Sequence, residues 1–180
     1  MVKADHSGWA RQFDAGSQPW EQEVTGWVRS GAWSHQHRGD AATRLFADGN
    51  APDDVVGFIS MSAGFLDRDD AALSQAIALA TRSRPHRRNL TTASIIFLGV
   101  TKEKQGHGYG TKILANLFSG LVDDFVSPRF VMLEVWMANP AHRLYARLGF
   151  VPLGPVAPRT IGWGVQAPGQ LQTMVRDRFG

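Results

Sequence analysis

The chain has 180 residues, 43% of them hydrophobic and 19% charged, with a formal net charge of +3. Such a length and balance suit one domain that buries a sizeable core, and they exclude a disordered chain. The sequence has no cysteine, which rules out disulfides and thiolate metal sites, and no apolar run approaches the roughly 18 residues of a membrane span, so a cytoplasmic protein without membrane association is expected.

Residues 1 to 16 show no clear period and end in Phe13-Asp14-Ala15-Gly16; they read as an arm or short first strand. Ser17 and Pro19 open a helix in which Trp20, Val24, Trp27 and Val28 recur at helical spacing, ending near Gly31, with the tryptophans in the core. Ser34 to Asp40 reads as a polar loop. Its two histidines, His35 and His37, have no further ligand at a usual metal spacing, so a solvated loop is the better reading. Thr43 to Ala47 and Val55 to Met61 then form a hairpin around a turn at Asp48 to Asp54.

Asp70 to Ser83 has a helical pattern. It leads into Arg82-Ser83-Arg84-Pro85-His86-Arg87-Arg88, where four arginines fall in seven residues. Such a run is either a solvated loop or a phosphate-contacting patch, because the guanidinium matches phosphate geometry. Ile95 to Val100 is apolar and β-branched, as in a strand covered on both faces. After it come a charged connection, the glycine-rich stretch Gln105-Gly106-His107-Gly108-Tyr109-Gly110, and a helix with Ile113, Leu114, Leu117, Phe118, Leu121, Val122 and Phe125 on one side. Phe130 to Trp136 is a further buried strand. Pro140 opens a short helix carrying Ala141, Leu144, Tyr145 and Leu148 on one face and stopping at Gly149. Val151 to Gly169 is mostly loop, and Leu171 to Arg176 is the last strand. The element order gives an α/β fold with a mixed sheet.

A glycine-rich turn between a strand and a helix can wrap an anion, since bare N–H groups and the helix dipole both favour negative charge there. The spacing excludes two common versions. A dinucleotide fingerprint needs glycine at Thr111, and a Walker loop needs Lys before Ser or Thr where this chain has Thr111-Lys112. What remains is Gln-x-x-Gly-x-Gly directly after a strand.

With Leu98-Gly99-Val100 before it and Leu144-Tyr145-Ala146-Arg147-Leu148-Gly149-Phe150 about 35 residues after it, this stretch resembles the GNAT superfamily of N-acetyltransferases over roughly residues 42 to 153. The resemblance implies a single domain over 1–180. Its core covers 42–153, an arm and helix over 1–33 precede it, and a Gly/Pro-rich segment follows from 154 to 180. It implies a mostly antiparallel sheet with a central splayed parallel pair and helices on both faces. It also implies acetyl-CoA as donor, no metal, and dimers as a common outcome. Gln105, Gly106, His107, Gly108, Tyr109, Gly110 and Thr111 would cradle the pyrophosphate through main-chain N–H groups, and Leu98, Gly99 and Val100 would hold the pantetheine arm. Tyr145 matches the tyrosine that protonates the departing thiolate. The asparagine often found seven positions before that tyrosine is Ala138 here, with Asn139 one residue late.

The acceptor amine must be neutral to attack. Ala93 to Thr101 contains no Asp or Glu, so Glu134 on the next strand is the nearest candidate base, acting through water, with a structural role as its alternative. The lack of an obvious base suits an α-amine, whose ordinary pKa is about 8, better than a lysine at about 10.4. Phe13 to Gly16, the tryptophan-bearing helix, Val56 to Ser60 and Arg87-Arg88-Asn89-Leu90 also resemble the GNAT toxins that acetylate aminoacyl-tRNA; there Arg84, Arg87 and Arg88 would engage the tRNA. Thr91-Thr92, Phe97 and the 154–169 segment depart from those toxins. Three readings therefore stand: an enzyme acting on a small-molecule or protein amine, a toxin-like enzyme acting on charged tRNA, and a silent acyl-CoA-binding module. Tyr145 speaks against the last.

Overall fold

The computed structural model describes residues 6–49, 51–67, 89–120, 128–154, 157–158 and 170–178. The expected helix over 70–83, the arginine run and the end of the helix after the glycines lie outside them. The elements are α1 (His6–Gln12), α2 (Pro19–Gly26), a π-helical turn (Trp27–Gly31), α3 (Ala32–Arg38), β1 (Ala42–Asp48), β2 (Ala51–Asp67), β3 (Asn89–Val100), a 3-10 turn (Lys102–Lys104), α4 (Tyr109–Ser119), β4 (Phe130–Trp136), α5 (Ala141–Arg147), β5 (Val151–Pro152), β6 (Ala157–Pro158) and β7 (Gln170–Asp177). The strands form one mixed sheet in the order β1-β2-β3-β4-β7-β5, with β6 also on β7. β1–β2, β4–β7, β5–β7 and β6–β7 are antiparallel, and β3–β4 is parallel. The parallel register ends at Ile95–Leu133, although β3 continues to Val100 and β4 to Trp136. This is the parallel pair expected from the sequence.

The chain divides into two compact units, residues 1–62 with 96–119 and residues 63–95 with 120–180. In the first, Phe13, Trp27, Val28 and Phe58 are buried together, with Trp9, Val24, Leu45 and Phe97 packed against them. Phe13 and Phe58 meet edge-on at 5.2 Å, and Trp27 stacks on Phe97 at 4.8 Å. Such pairs contribute about 0.5–1.5 kcal/mol beyond the area they bury. The buried Trp27 indole donates to Ser60 Oγ at 2.8 Å, so the tryptophan's one polar atom is satisfied. In the second unit Phe130 and Val175 form the centre, with Met132, Val151 and Leu153 around them.

Two segments differ from the sequence-based expectation. Residues 6–12 are helical rather than strand or arm. Ser34 to Arg38 is helix α3 rather than polar loop, and Gly31 does not stop the preceding helix. The π-helical turn inserts a residue into the 3.6 repeat, so the apolar face is lost from the pattern at that point. A Cβ at Gly31 would come 2.9 Å from the Trp27 ring, so this glycine lets the tryptophan lie flat against the helix. The helix stops instead at Gly39, where Gly39 N–H donates to the Gln36 carbonyl and Asp40 N–H to that of His35. His35 packs on the Trp27 ring at 4.8 Å and His37 on Trp33 at 4.4 Å. Among the described residues no group of His, Asp and Glu could hold a metal, and no helix is long and apolar enough to cross a membrane.

Candidate active site

The glycine turn belongs to the first unit. Gly106 and Gly108 have φ of +78° and +81°, and a Cβ at either would meet nothing within 4 Å. Space is therefore not what selects glycine; the left-handed backbone does, because a side chain there costs about 1–2 kcal/mol. Lys112 N–H makes the first bond of the helix, to the Gly108 carbonyl at 3.1 Å. Tyr109, Gly110 and Thr111 thus sit where a helix leaves its N–H groups without intrahelical partners. An exposed bare-backbone turn running into an 11-residue helix fits a polyphosphate by both its donors and its dipole.

The flanking side chains hold the nearby carboxylates. Lys104 Nζ lies 2.7 Å from Asp54, which raises the lysine's pKa through that hydrogen bond. Tyr109 donates its phenol proton to Asp48 at 2.9 Å, and that bond raises the phenol's pKa. Tyr109 therefore reaches the site only through its backbone. His107 Nδ1 lies 2.8 Å from the Gln105 carbonyl; a carbonyl only accepts, so this nitrogen carries a proton. The Gln105 side chain turns back onto the Ala15 carbonyl at 2.6 Å and the Val100 carbonyl at 3.2 Å. In β3, Gly99 is buried, and a Cβ there would strike Val24, Phe58 and Phe13. Its missing side chain is a packing requirement, while Leu98 and Val100 are half-buried.

Tyr145 belongs to the second unit, on α5. The helix ends with Gly149 at φ +85°, with Gly149 N–H donating to Ala146 and Phe150 N–H to the Tyr145 carbonyl at 3.1 Å. This is a Schellman ending, whose usual hydrophobic partners are the two residues that Tyr145 and Phe150 occupy. Their rings do meet, edge-on at 5.8 Å. The stretch Tyr145-Ala146-Arg147-Leu148-Gly149-Phe150 is therefore a local device that orients the tyrosine. Tyr145 is 7% exposed, and burial pushes its phenol up to about 12.

Asn139 Oδ1 accepts from Ala141 N–H at 2.9 Å, so the side chain caps the start of α5. Glu134 is exposed on β4, opposite Thr173 of β7. Arg84, Arg87 and Arg88 lie outside the described residues. The sequence reading missed two anchors, Asp48 under Tyr109 and the Phe13–Gly16 stretch under Gln105. Only the resemblance of the latter stretch to the toxins marked it.

The sequence matches the acetyltransferase (GNAT) family over residues 9–150. The chain belongs to the GNAT acetyltransferases. It is thus a GNAT-type acyltransferase with the strand, glycine turn and helix of that family. No curated protein matches it in sequence. Among solved structures, one described as a bacterial toxin is 20% identical over 99% of this chain and 86% of its own, with a TM-score of 0.71. The toxin AtaT, complexed with acetyl-methionyl-tRNAfMet, is 14% identical over 93% and 86%, with a TM-score of 0.64. A tyrosine-to-phenylalanine mutant of KacT is 16% identical over 91% and 85%, with a TM-score of 0.58. At these identities the likeness is one of fold.

Proposed function

We propose that this GNAT enzyme transfers the acetyl group of acetyl-CoA to a primary amine by direct attack in a ternary complex, with Tyr145 as general acid. The observation that carries the reading is the buried, oriented Tyr145, whose phenol stays protonated far above neutral pH. The backbone of Gln105 to Thr111 holds the pyrophosphate, and Leu98 to Val100 hold the pantetheine arm. Bound acetyl-CoA supplies a carbonyl carbon already activated as a thioester. Asn139 contributes by fixing the start of the helix that carries Tyr145. Glu134 takes a proton from the acceptor through water.

The phenol's value of about 12 lies far above neutral pH, so Tyr145 holds its proton until the charge developing on sulfur draws it off. It gives the proton to sulfur as the carbon–sulfur bond breaks, and the proton that Glu134 has taken from the nitrogen through water returns to the phenolate. Amine plus thioester thus becomes amide plus thiol, with no net proton released. Turnover with a simple amine should fall in Tyr145→Phe while acetyl-CoA still binds; unchanged turnover removes the role.

A second reading names the acceptor as the α-amine of an aminoacyl-tRNA. It is supported by the lack of a carboxylate in 93–101, by the arginine run, and by the fold shared with AtaT, which is described in complex with acetyl-methionyl-tRNAfMet. On this reading Arg84, Arg87 and Arg88 contact phosphate. Incubation with charged tRNA and labelled acetyl-CoA should place label on the amino acid. Absence of label, with arginine variants still active on a simple amine, eliminates it. The cytoplasm, where charged tRNA is found, is the matching location.

A further inference from the structure

The Phe13-Asp14-Ala15-Gly16 stretch has an unusual set of partners for a segment that would otherwise read as an arm. Both Nε and Nη2 of Arg29 donate to the Phe13 carbonyl, at 3.1 and 2.9 Å. The Asp14 carbonyl accepts from Lys102 N–H at 2.8 Å. The Ala15 carbonyl accepts from Gln105 Nε2 at 2.6 Å, and Ala15 N–H donates to Thr25 Oγ1 at 3.0 Å. Gly16 N–H is closed onto its own turn through Asp14 Oδ1 at 2.8 Å. Three successive carbonyls are thus tied to the π-helical turn, the 3-10 turn after β3 and the glycine turn, while the Ala15 N–H ties the stretch to α2. Phe13 and Ala15 are buried, at 1% and 3% exposure, which anchors the stretch in the core.

Gln105 is the hinge pin of this arrangement. Its single amide nitrogen also reaches the Val100 carbonyl at 3.2 Å, so one side chain bridges the last residue of β3, the first residue of the turn and the N-terminal stretch. The turn itself is built of residues with little to hold them. Gly106, His107 and Gly108 are exposed, and two of the three are glycine. Such a segment loses much backbone freedom on becoming ordered, and that loss lowers ligand affinity unless the order exists beforehand.

We infer that Gln105 and the Phe13–Gly16 strap form a positioning device. It pre-orders the glycine turn for the phosphates of its ligand without the Gln105 side chain touching that ligand. The inference rests on the acetyl-CoA reading of the turn. It assigns Gln105 a task different from a phosphate donor's, and it makes Thr25 and Arg29, remote in sequence from the turn, determinants of affinity.

The test compares Gln105→Met, which keeps length but has no donor, with Gln105→Arg, which keeps donors for both carbonyls, and with Thr25→Val, which is isosteric and outside the turn. Backbone 15N order parameters over 105–110 are measured by NMR relaxation on the ligand-free proteins. Calorimetric titration with acetyl-CoA and steady-state kinetics on a simple amine follow. The turn order parameters should fall in Gln105→Met and Thr25→Val relative to the wild type, and Gln105→Arg should restore them. Kd and KM for acetyl-CoA should rise about tenfold in Gln105→Met, as losing two hydrogen bonds would give, and about threefold in Thr25→Val, with kcat at saturation nearly unchanged. The double variant Gln105→Met/Thr25→Val should weaken binding by less than the product of the single effects, since both act on one strap. Unaltered order parameters in Gln105→Met, or a lowered kcat at constant KM, overturn the positioning role. Failure of the wild type to bind acetyl-CoA would instead defeat the functional reading, while the order-parameter comparison would still decide whether the strap orders the turn.

Discussion

The phenol of Tyr145 is pushed to about 12 because its charged form would have to exist inside a packed interior. Replacing it by phenylalanine keeps the edge-on contact with Phe150 and removes only the donor. A positioned general acid contributes about 10²–10⁴ in rate, so Tyr145→Phe should lower kcat within that range and leave the acetyl-CoA KM within about twofold. The same shift has a consequence for stability. Above pH 10 the unfolded tyrosine loses its proton while the folded one keeps it, so the unfolded state gains and the fold weakens until the folded value is passed. Two units amount to about 3 kcal/mol, lost between pH 10 and 12. Melting curves across that interval should show this loss in the wild type, and Tyr145→Phe should lack it. An identical pH dependence in both would mean that the phenol is not buried as described.

At the scale of elements, two glycine-ended devices do separate jobs. In α5 the Gly149 ending brings Tyr145 against Phe150. Alanine at φ +85° costs about 1–2 kcal/mol, so Gly149→Ala should lower kcat and Tm together without raising the acetyl-CoA KM. In the glycine turn Gly108→Ala should raise that KM about tenfold with kcat little changed, because nothing blocks the methyl and only the backbone is strained. Kinetics that assign the two effects the other way round would contradict the division of labour. Within α4, Leu114 is fully buried, and Leu114→Ala should cost about 2–5 kcal/mol, read as the denaturation midpoint.

These elements also show what was legible beforehand. The buried face of α4 was readable because its burial repeats at the helical period, and Ile113, Leu114 and Leu117 are indeed its buried residues; β4 was readable as an apolar run, and it is buried along nearly its whole length. The Schellman ending was readable because its glycine and its two aromatic partners are local. α3 was not, because the π-helical turn shifts its face and the residues after Gly31 are mostly polar and half or fully exposed. The partners of Tyr109 and Gln105 were not either. Asp48 lies 61 positions from Tyr109 and Ala15 lies 90 from Gln105, and no periodicity reports a hydrogen bond across such distances.

For the molecule as a whole, the family match and the mixed sheet with its parallel β3–β4 pair make a GNAT acetyltransferase, and the proposal adds its donor, its acid and its acceptor class. A ligand bound only by the folded protein raises stability by about 2.7 kcal/mol at one hundred times its Kd, so excess acetyl-CoA should raise Tm measurably. The central claim is that the Gln105–Thr111 backbone cradles acetyl-CoA. Calorimetric titration of acetyl-CoA into wild type, Tyr145→Phe and Gly108→Ala tests it most directly. One site should appear, kept in Tyr145→Phe and weakened about tenfold in Gly108→Ala. No binding to the wild type, or equal binding to Gly108→Ala, would contradict it.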